Sequence, residues 1–261
     1  MKATLSVERI VSKINPEKHG INVEIVPRTG STNLDLLAKV PSLTTPTLLL
    51  AIEQKAGRGR NGHTWYASPG SSLTFSLAWK FSRPAYEIAG IPLVSGIAIA
   101  TTLRQYDVPV LLKWPNDILK EHKKLAGILV ELPHKAFKNW AVIGVGINLI
   151  LPRELEDRIS QPAADMPWLA QMDHNLLMAK IIEQLSEHLS ILDQSGFDSF
   201  VPRWNTLHAF QGQDVVIVQS DRIHWQGKVT GIDRLGRLLL ETGQGQVAVT
   251  AGDVSLRLKK E

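Results

Sequence analysis

Four segments of β-strand character follow one another closely in the middle of this chain, and they constrain its fold more than any other feature. They span residues 110–113, 118–120, 125–131 and 140–148. Each is short and rich in the aliphatic residues that favour strands. We predict that they form four strands of one sheet.

Two helices are predicted to flank this sheet. The first is the uncharged run at residues 88–103, which is short for a bilayer crossing of about 20 apolar residues and is interrupted by Pro92. The second begins at Asn175, its predicted cap, and ends near residue 193, with leucine and isoleucine close to helical spacing. It should cover one face of the sheet. Residues 152–175, rich in Pro, Asp, Glu and Gln, predict a loop.

Shorter elements are predicted on either side of this region. Residues 6–14 predict a helix, and Ser31, Thr32 and Asn33 offer three candidate caps for a leucine-rich helix that follows them. Further strands are predicted at residues 21–25, 47–54 and 72–79. Beyond residue 211 the pattern changes to short strands at residues 215–218, 224–230, 237–241, 247–250 and 254–258. That rhythm predicts a small β-barrel of about 50 residues, with a domain boundary near Leu207.

The composition excludes several kinds of site. Cysteine is absent from the 261 residues, which excludes disulfides, a thiolate nucleophile and cysteine metal ligands. The first residues carry charges where a signal peptide needs an apolar stretch, so we expect a cytoplasmic location. The formal net charge of +4 fits an anionic small molecule better than a long nucleic-acid groove.

Two short segments combine positive charge with glycine or proline. Residues 57–62 read Gly-Arg-Gly-Arg-Asn-Gly, and residues 113–117 read Lys-Trp-Pro-Asn-Asp. Glycine lets backbone N–H groups approach an anion, and guanidinium groups match phosphate oxygens in pairs. Neither segment follows the glycine patterns of the common nucleotide-binding folds. They predict a phosphate-handling site of another kind.

Five motifs occur in one order along the chain: residues 31–33, residues 54–62 with Trp65, and residues 113–117, 124–131 and 144–148. In this order they resemble the biotin–protein ligases, and residues 253–257 resemble the closing strand of that family. The resemblance implies an α+β fold, with a mixed or antiparallel sheet like that of class II aminoacyl-tRNA synthetases and flanking helices. It also implies a catalytic domain at residues 1–206 and an SH3-like small β-barrel at residues 207–261.

The implied activity has two steps. Biotin is activated with ATP to biotinyl-5′-AMP and is then transferred to a lysine of the biotin carboxyl carrier protein of acetyl-CoA carboxylase. Biotin and ATP are the expected substrates, Mg²⁺ the expected activator, and no tightly bound prosthetic group is expected. The expected partners are biotin, ATP and the carrier protein, with a possible homodimer through the sheet edge and without DNA or a membrane.

The resemblance also implies roles for individual residues. Catalysis falls to the cations Lys113, Arg58, Arg60 and Lys124. The implied biotin-binding residues are Ser31, Thr32, Asn33, Gln54, Gly57, Arg58, Gly59, Arg60, Lys124 and Gly127. Those implied for ATP or the adenylate are Arg58, Arg60, Trp65, Lys113, Asn116, Asp117, Asn148 and Arg257. Asp117 is also the candidate Mg²⁺ contact, through substrate phosphates.

Taken alone, the same residues allow simpler interpretations. Residues 31–33 could be helix caps only, and Arg58 and Arg60 could lie on a mobile, solvated basic loop. Trp65 could be core packing instead of a platform for adenine. Trp114 is expected to pack in the core.

The chain departs from the family pattern in two places. Relatives often carry a second arginine in the pattern G-R-G-R-x-G-R-x-W, where this chain has His63. A histidine is charged only part of the time near neutral pH, so we expect a weaker or more pH-dependent hold on the adenylate. About 20 residues precede the first predicted strand, too few for a winged helix-turn-helix domain. We therefore expect a ligase without a repressor role.

Three other functions are open. A lipoate or octanoate ligase has a related fold, but its usual arginine-rich strand and glycine run differ from residues 57–62. A non-catalytic biotin-sensing regulator would not need Lys113, Asp117 and Lys124 together, because it activates no carboxylate. A nucleic-acid binder is disfavoured because the aromatic residues are not interleaved with the basic ones.

Overall fold

The computed structural model describes residues 5–15, 20–152, 162–220 and 222–259. The first sheet contains β1 (Asn22–Thr29), β2 (Thr47–Arg58), β3 (Thr64–Ala67), β4 (Ser72–Lys80), β5 (Val110–Lys113), β6 (Asp117–Lys120), β7 (Lys123–Glu131) and β8 (Trp140–Asn148). The strand order is β1-β2-β4-β8-β7-β6-β5, and β3 pairs with β2 beside this path. The four central segments of the sequence are therefore neighbours in one sheet, as predicted.

Local connections explain why the sheet is mixed. Strands β1 and β2 are parallel, and helix α2 (Thr32–Lys39) supplies the crossover that a parallel pair requires. The other pairs in this sheet are antiparallel. Between β6 and β7, Glu121 and His122 both have positive φ, the geometry of a tight two-residue hairpin turn. The predicted α+β class is confirmed.

One face of the sheet is covered by helices. Helix α3 (Ile91–Gln105) packs on β5, β6 and β7, and helix α4 (His174–Ser195) packs chiefly on α3 and on α1 (Val7–Val11). Because α3 lies between strands and another helix, most of its residues are buried. This confirms the helix that the uncharged run at residues 88–103 predicts.

The opposite face is only partly covered. Helix α2 packs there on a small apolar core formed by β2, β4 and β8, in which Leu36, Leu49, Trp140 and Val142 are buried. Beside this core the same face carries small and polar residues, among them Ser76 on β4 and Gly144 on β8, which are paired with each other. This polar area holds the candidate site.

A second sheet follows helix α5 (Val201–Leu207). Its strands are β9 (Asp214–Gln219), β10 (Arg222–Ile232), β11 (Leu238–Thr242), β12 (Gly245–Val249) and β13 (Val254–Leu258). They are antiparallel in the order β12-β11-β10-β9-β13. The five short strands match the predicted C-terminal β-structure, whereas the domain boundary near Leu207 stays a prediction.

The two sheets are joined by contacts at β5. Trp114, which is 1% exposed, donates from Nε1 to the carbonyl oxygen of Gly236 at 3.0 Å. The N–H of Ala209 donates to the carbonyl oxygen of Leu112 at 2.8 Å. The expectation that Trp114 packs is confirmed, and its indole fixes the second sheet beside residues 113–117.

Several predicted element boundaries differ from the structure. Asp173, and not Asn175, caps α4, because its carboxylate accepts from the N–H of Asn175. Helix α1 is shorter than residues 6–14, and Ser6 is its N-cap. Of the predicted loop, residues 153–161 lie outside the described residues. The remainder includes a 3₁₀ turn at Leu169–Gln171.

Candidate functional site

The Gly-Arg segment lies on a β-hairpin. Gly57 and Arg58 still belong to β2 and pair with β3. The turn spans residues 59–63, where Asn61 has a φ of 54°, a left-handed conformation that asparagine tolerates. A Cβ on Gly57 would fall less than 3.0 Å from the carbonyl oxygen of Trp65, so only glycine fits. The strand predicted at residues 47–54 therefore continues to Arg58.

Hydroxyl and amide side chains form a buried hydrogen-bond network at the start of α2. The N–H of Thr32 donates to Oε1 of Gln54 at 2.8 Å. The hydroxyl of Thr32 lies 2.6 Å from that of Ser76, which donates to Oδ1 of Asn33 at 2.5 Å. Thr32, Asn33 and Ser76 are at most 4% exposed. A satisfied buried network of this kind is rigid and specifies one arrangement.

The hydrogen bonds of this network show whether residues 31–33 serve only as caps of α2. Ser31 occupies the N-cap position, but its side chain makes no capping hydrogen bond. The side chains of Thr32 and Asn33 bond to residues of β2, β4 and β7. Capping alone therefore does not account for these polar residues.

Two glycines of β8 make room for the site residues. A Cβ on Gly144 would fall less than 3.0 Å from Oδ1 of Asn33. A Cβ on Gly146 would come equally close to three atoms of the Trp65 indole. Since these glycines are two positions apart on one strand, they face the same side of the sheet. The Asn33 amide and the Trp65 indole therefore pack directly against the backbone of β8 at these two glycines.

Trp65 lies between Gly146 of β8 and the side chain of Lys124. The Nζ of Lys124 is 5.8 Å from the centroid of the indole ring, a favourable cation–π distance. A Cβ on Gly127 would lie 3.0 Å from Cε of Lys124 and 3.4 Å from the indole. Trp65 belongs to neither hydrophobic core, so core packing does not explain it. Its contact with adenine stays a prediction.

Asp117 joins two lysines at the end of the β5–β6 hairpin. Its Oδ1 is 2.7 Å from Nζ of Lys124, and its Oδ2 is 3.7 Å from Nζ of Lys113. The three side chains are each less than one-fifth exposed. Burial lowers the pKa of Lys113; Asp117 opposes this, whereas Lys124 and Arg257 add to it. With both lysines protonated the cluster has one net positive charge, which suits an anionic ligand.

Arg60 connects the hairpin to both sheets. Its guanidinium donates to Oδ1 of Asn116 at 3.1 Å and to the carbonyl oxygen of Gly252. Burial lowers the pKa of Arg60, and the carboxylates of Asp117 and Asp253 oppose that shift. Arg60 is thus held at two points, which does not fit a solvated, mobile loop.

Arg58 contacts the polar network instead. Its guanidinium lies 2.9 Å from Oε1 of Glu131, whose Oε2 accepts from Nδ2 of Asn33 at 2.8 Å. The side chain of Arg58 remains 43% exposed. The two arginines of the hairpin therefore serve different parts of the site.

Two predicted site residues are bound to the backbone. Nδ2 of Asn116 donates to the carbonyl oxygen of Ile128 at 2.7 Å. Nδ2 of Asn148 donates to that of Ala164 at 3.1 Å. In the structure these amides brace the strands and loops around the site, and their contact with the nucleotide stays a prediction.

The second sheet contributes to the rim of the site. Arg257 on β13 is exposed and close enough for its charge to lower the pKa of Lys113. A shallow cavity of about 370 Å³ is lined by residues 58–62, Leu129 and residues 251–253. The fold-back of the C-terminal strands that the role of Arg257 requires is therefore present.

Direct Mg²⁺ binding does not fit this cluster. Among the described residues, no three histidine, aspartate or glutamate side chains are grouped to hold a metal ion. Asp117, the predicted contact, is already ion-paired with Lys124 beside a second ammonium group. A cation there would be repelled by both lysines.

Two residues of the site, Ser76 and Glu131, have no role predicted from the sequence. A signal existed for Ser76, because Ser72, Thr74 and Ser76 alternate with apolar residues along β4. His63 is exposed, and its carbonyl oxygen accepts from the N–H of Gly59 at 2.7 Å. Its effect on the adenylate stays a prediction.

Comparison with known proteins settles the family. The model of the biotin/lipoate A/B protein ligase family matches residues 25–148, and that of the biotin protein ligase C terminal domain matches residues 211–257. The chain is 35% identical to the bifunctional ligase/repressor BirA of Salmonella typhimurium, over 97% of this chain and 78% of that protein. It belongs to the biotin protein ligase family. The resemblance drawn from the five motifs is confirmed.

Two further relatives of this biotin protein ligase family member are informative. It is 30% identical to the biotin–[acetyl-CoA-carboxylase] ligase of Mycobacterium tuberculosis, over 89% of this chain and 88% of that protein. The biotin protein ligase from Aquifex aeolicus, solved in complex with biotin and ATP, matches with a TM-score of 0.79 and 27% identity, over 91% of this chain and 99% of that one. None of the described helices is long and apolar enough to cross a membrane.

Proposed function

We propose that this protein activates biotin with ATP to biotinyl-5′-AMP and transfers biotin to a lysine of the biotin carboxyl carrier protein of acetyl-CoA carboxylase. One observation carries the proposal: a buried amide–hydroxyl network and four cations meet on the same face of the first sheet. Its relative from Mycobacterium tuberculosis has the corresponding name, and the Aquifex aeolicus ligase binds biotin and ATP.

The polar network is the proposed site for the ring system of biotin. Thr32, Asn33 and Gln54 offer hydroxyl and amide groups, which suit a ureido ring that both donates and accepts hydrogen bonds. Ser31 and the glycines at positions 57 and 59 lie on the segments that border the network. Lys124, beside Gly127 and Trp65, would receive the biotin carboxylate.

In the first step a carboxylate oxygen of biotin attacks the α-phosphorus of ATP. The bond from that phosphorus to the bridging oxygen breaks, and pyrophosphate leaves with the electron pair. Both reactants are anions, so cations held between them reduce the repulsion. Lys113 and Lys124 are fixed around Asp117, and Arg60 is held nearby through Asn116, so their charges are in place before the reaction.

In the second step the neutral amine of a carrier lysine attacks the acyl carbon, AMP leaves with the electron pair of the broken C–O bond, and the nitrogen releases one proton. The mixed anhydride also hydrolyses if water reaches it, so the adenylate has to be enclosed. The hairpin turn at residues 59–63, joined to the second sheet through Arg60 and Gly252, is the proposed cover. Direct contacts of Asn116, Asn148 and Arg257 with the nucleotide are part of the same proposal.

A lipoate or octanoate ligase is the second candidate, because the matched family model covers both biotin and lipoate ligases. A homodimer through the edge strand β1, the cytoplasmic location and the identity of the carrier are further proposals. The polar network favours biotin over lipoate, since its amide and hydroxyl groups can exchange hydrogen bonds with a ureido group, which a lipoyl chain lacks.

The test is a transfer assay with ATP, Mg²⁺, labelled biotin and a carboxyl carrier domain. We expect label on the carrier, and none on a carrier whose acceptor lysine is replaced by arginine. Lys113→Ala should slow pyrophosphate release at least about tenfold, corresponding to about 1.4 kcal/mol of lost transition-state stabilisation. Lys180→Ala, on the exposed side of α4, is the matched control. Pyrophosphate release with lipoate but not biotin would redirect the assignment.

A further inference from the structure

Glu131 stands at the end of β7, between the polar network and the hairpin. Its side chain is 20% exposed. One carboxylate oxygen accepts from Nδ2 of Asn33 at 2.8 Å, and the other lies 2.9 Å from the guanidinium of Arg58. A single side chain thus links two segments that are separate in the sequence.

The orientation of the Asn33 amide is fixed by its other bonds. Its Oδ1 accepts from the hydroxyl of Ser76 at 2.5 Å, and its Nδ2 also donates to the carbonyl oxygen of Leu129 at 3.3 Å. The nitrogen must therefore face Glu131. Because Asn33 cannot turn without breaking these bonds, it holds the carboxylate in one position.

Arg58 depends on this carboxylate for its own position. Its side chain is 43% exposed and projects from a hairpin strand, where a long flexible chain has many conformations. Among the described residues, the ion pair that restrains it is the one with Glu131. Removing that partner would leave the guanidinium free to move into solvent.

We propose that Glu131 is a positioning residue for retention of the adenylate, because it holds the guanidinium of Arg58 beside the polar network. Biotin in the network and Arg58 over the adenylate are then coupled through one carboxylate. This inference rests on the proposed biotin-ligase function. Glu131 acts through Arg58 and does not itself contact the reacting atoms.

Glu131→Gln separates the two contacts. The glutamine oxygen still accepts from Asn33, whereas the NH₂ group meets the guanidinium of Arg58 as a second donor. We expect the biotin dissociation constant to stay within about twofold by calorimetry, since the Asn33 side is retained. The release rate of biotinyl-5′-AMP should rise about tenfold, the scale of one lost charge-assisted hydrogen bond. Glu131→Asp, which keeps the negative charge, should show a release rate between those of the wild type and Glu131→Gln.

A second variant tests whether Glu131 acts through Arg58. In an Arg58→Met background, adding Glu131→Gln should change the release rate by less than about twofold, because the partner is already gone. Glu183→Gln, which breaks an ion pair with Lys180 on the exposed side of α4, is the control for a general effect of lost charge. Its release rate should equal that of the wild type.

Two results would overturn the positioning role. One is an unchanged release rate in Glu131→Gln, and the other is the same tenfold rise in the Arg58→Met background. If Glu131→Gln lowers the melting temperature, Arg58→Met alone takes its place, and an unchanged release rate in that variant overturns the positioning role, because the guanidinium that Glu131 holds would then have no part in retaining the adenylate. Wild-type adenylate formation is measured alongside: its absence refutes the proposed function and this inference together, whereas its presence with an inert Glu131 refutes only the inference.

Discussion

Trp65 lies against Gly146 so closely that this glycine cannot carry a side chain. A Cβ there would fall less than 3.0 Å from three atoms of the indole. Gly144, two positions earlier on β8, is in the same relationship with Asn33. The glycines in residues 144–148 are therefore steric requirements of the site, since each admits one polar or aromatic side chain onto the sheet.

Gly146→Ala should displace the Trp65 indole and lower activity. Overpacking of this kind costs about 1–3 kcal/mol. The indole is expected to move, because Trp65 is less buried than Gly146. We expect biotin-dependent pyrophosphate release to fall at least about tenfold. The measurement is the initial rate with saturating ATP, together with the free energy of unfolding in urea.

The control for Gly146→Ala is Gly243→Ala, where an added Cβ meets no atom within 4 Å. This variant should keep the wild-type rate and stability. The double variant Gly146→Ala/Trp65→Phe should regain part of the lost stability, because the smaller ring leaves space for the methyl group. No recovery in the double variant would mean that the alanine clashes elsewhere.

Strands and motifs were predictable from the sequence because both are local. Alternating apolar residues predicted β4, and short apolar segments predicted β5 to β8. The partners within the site were not predictable in the same way. Ser76 and Glu131 reach Asn33 from positions 43 and 98 residues away along the chain. Such pairs follow from strand order and register, which the sequence pattern does not specify.

The start of helix α4 also depends on a contact that the sequence pattern does not specify. Asp173 and Asn175 are both good N-cap residues, so composition alone does not choose between them. The choice is made by packing: Oδ1 of Asn175 accepts from the backbone N–H of Ser6 at 2.8 Å, 169 residues away. A tertiary contact therefore determines where α4 begins.

Lys113 gives adenylation an alkaline limit. Burial lowers the pKa of Lys113 from 10.5, so this ammonium group loses its proton at a lower pH than an ordinary lysine. The protonated form is the one that stabilises the anions, so pyrophosphate release should decline as the pH rises toward 10.5. In Lys113→Arg the guanidinium stays charged, and this decline should disappear.

The control for the alkaline limit is Lys124→Arg, which leaves Lys113 in place and should retain the decline. The rate should be followed at fixed saturating biotin and ATP, so that the pH acts on the chemical step. A decline of the same size and midpoint in Lys113→Arg would assign the titration to another group.

Retention of the adenylate should depend on the planar shape of the Arg60 guanidinium as well as on its charge. Its guanidinium contacts Asn116 and the carbonyl oxygen of Gly252 at once. In Arg60→Lys the charge is kept, but one ammonium group does not reproduce a planar fork with two separate acceptors. We expect biotinyl-5′-AMP to leave about tenfold faster, measured by trapping with excess unlabelled biotin and ATP.

Arg28→Lys is the matched control for Arg60→Lys. Arg28 pairs with Glu53 on the exposed part of β1, outside the site, and its replacement should leave the release rate unchanged. If Arg60→Lys also retained the wild-type rate, only the charge of Arg60 would matter, and the tie to the second sheet would have no part in holding the adenylate.

His208 lies where the two sheets meet. It is 5% exposed, its ring centroid is 4.5 Å from that of Trp204, and its backbone bridges to Leu112 on β5. Burial lowers the pKa of His208 from 6.5 to about 4, because the apolar surroundings disfavour the charged ring. The folded protein therefore carries this histidine neutral over a range where an unfolded chain binds a proton.

This difference should make the fold less stable in mild acid. The folded pKa of His208 is the lower one, so its contribution is full above the unfolded value of 6.5 and is lost as the pH falls toward 4. The total is up to about 3.5 kcal/mol, at about 1.4 kcal/mol for each pKa unit. Urea unfolding at several pH values should give a shallower slope between pH 6.5 and 4.5 for His208→Phe. His224→Phe, at an exposed position, should keep the wild-type slope, and equal slopes in all three proteins would contradict the neutral buried ring.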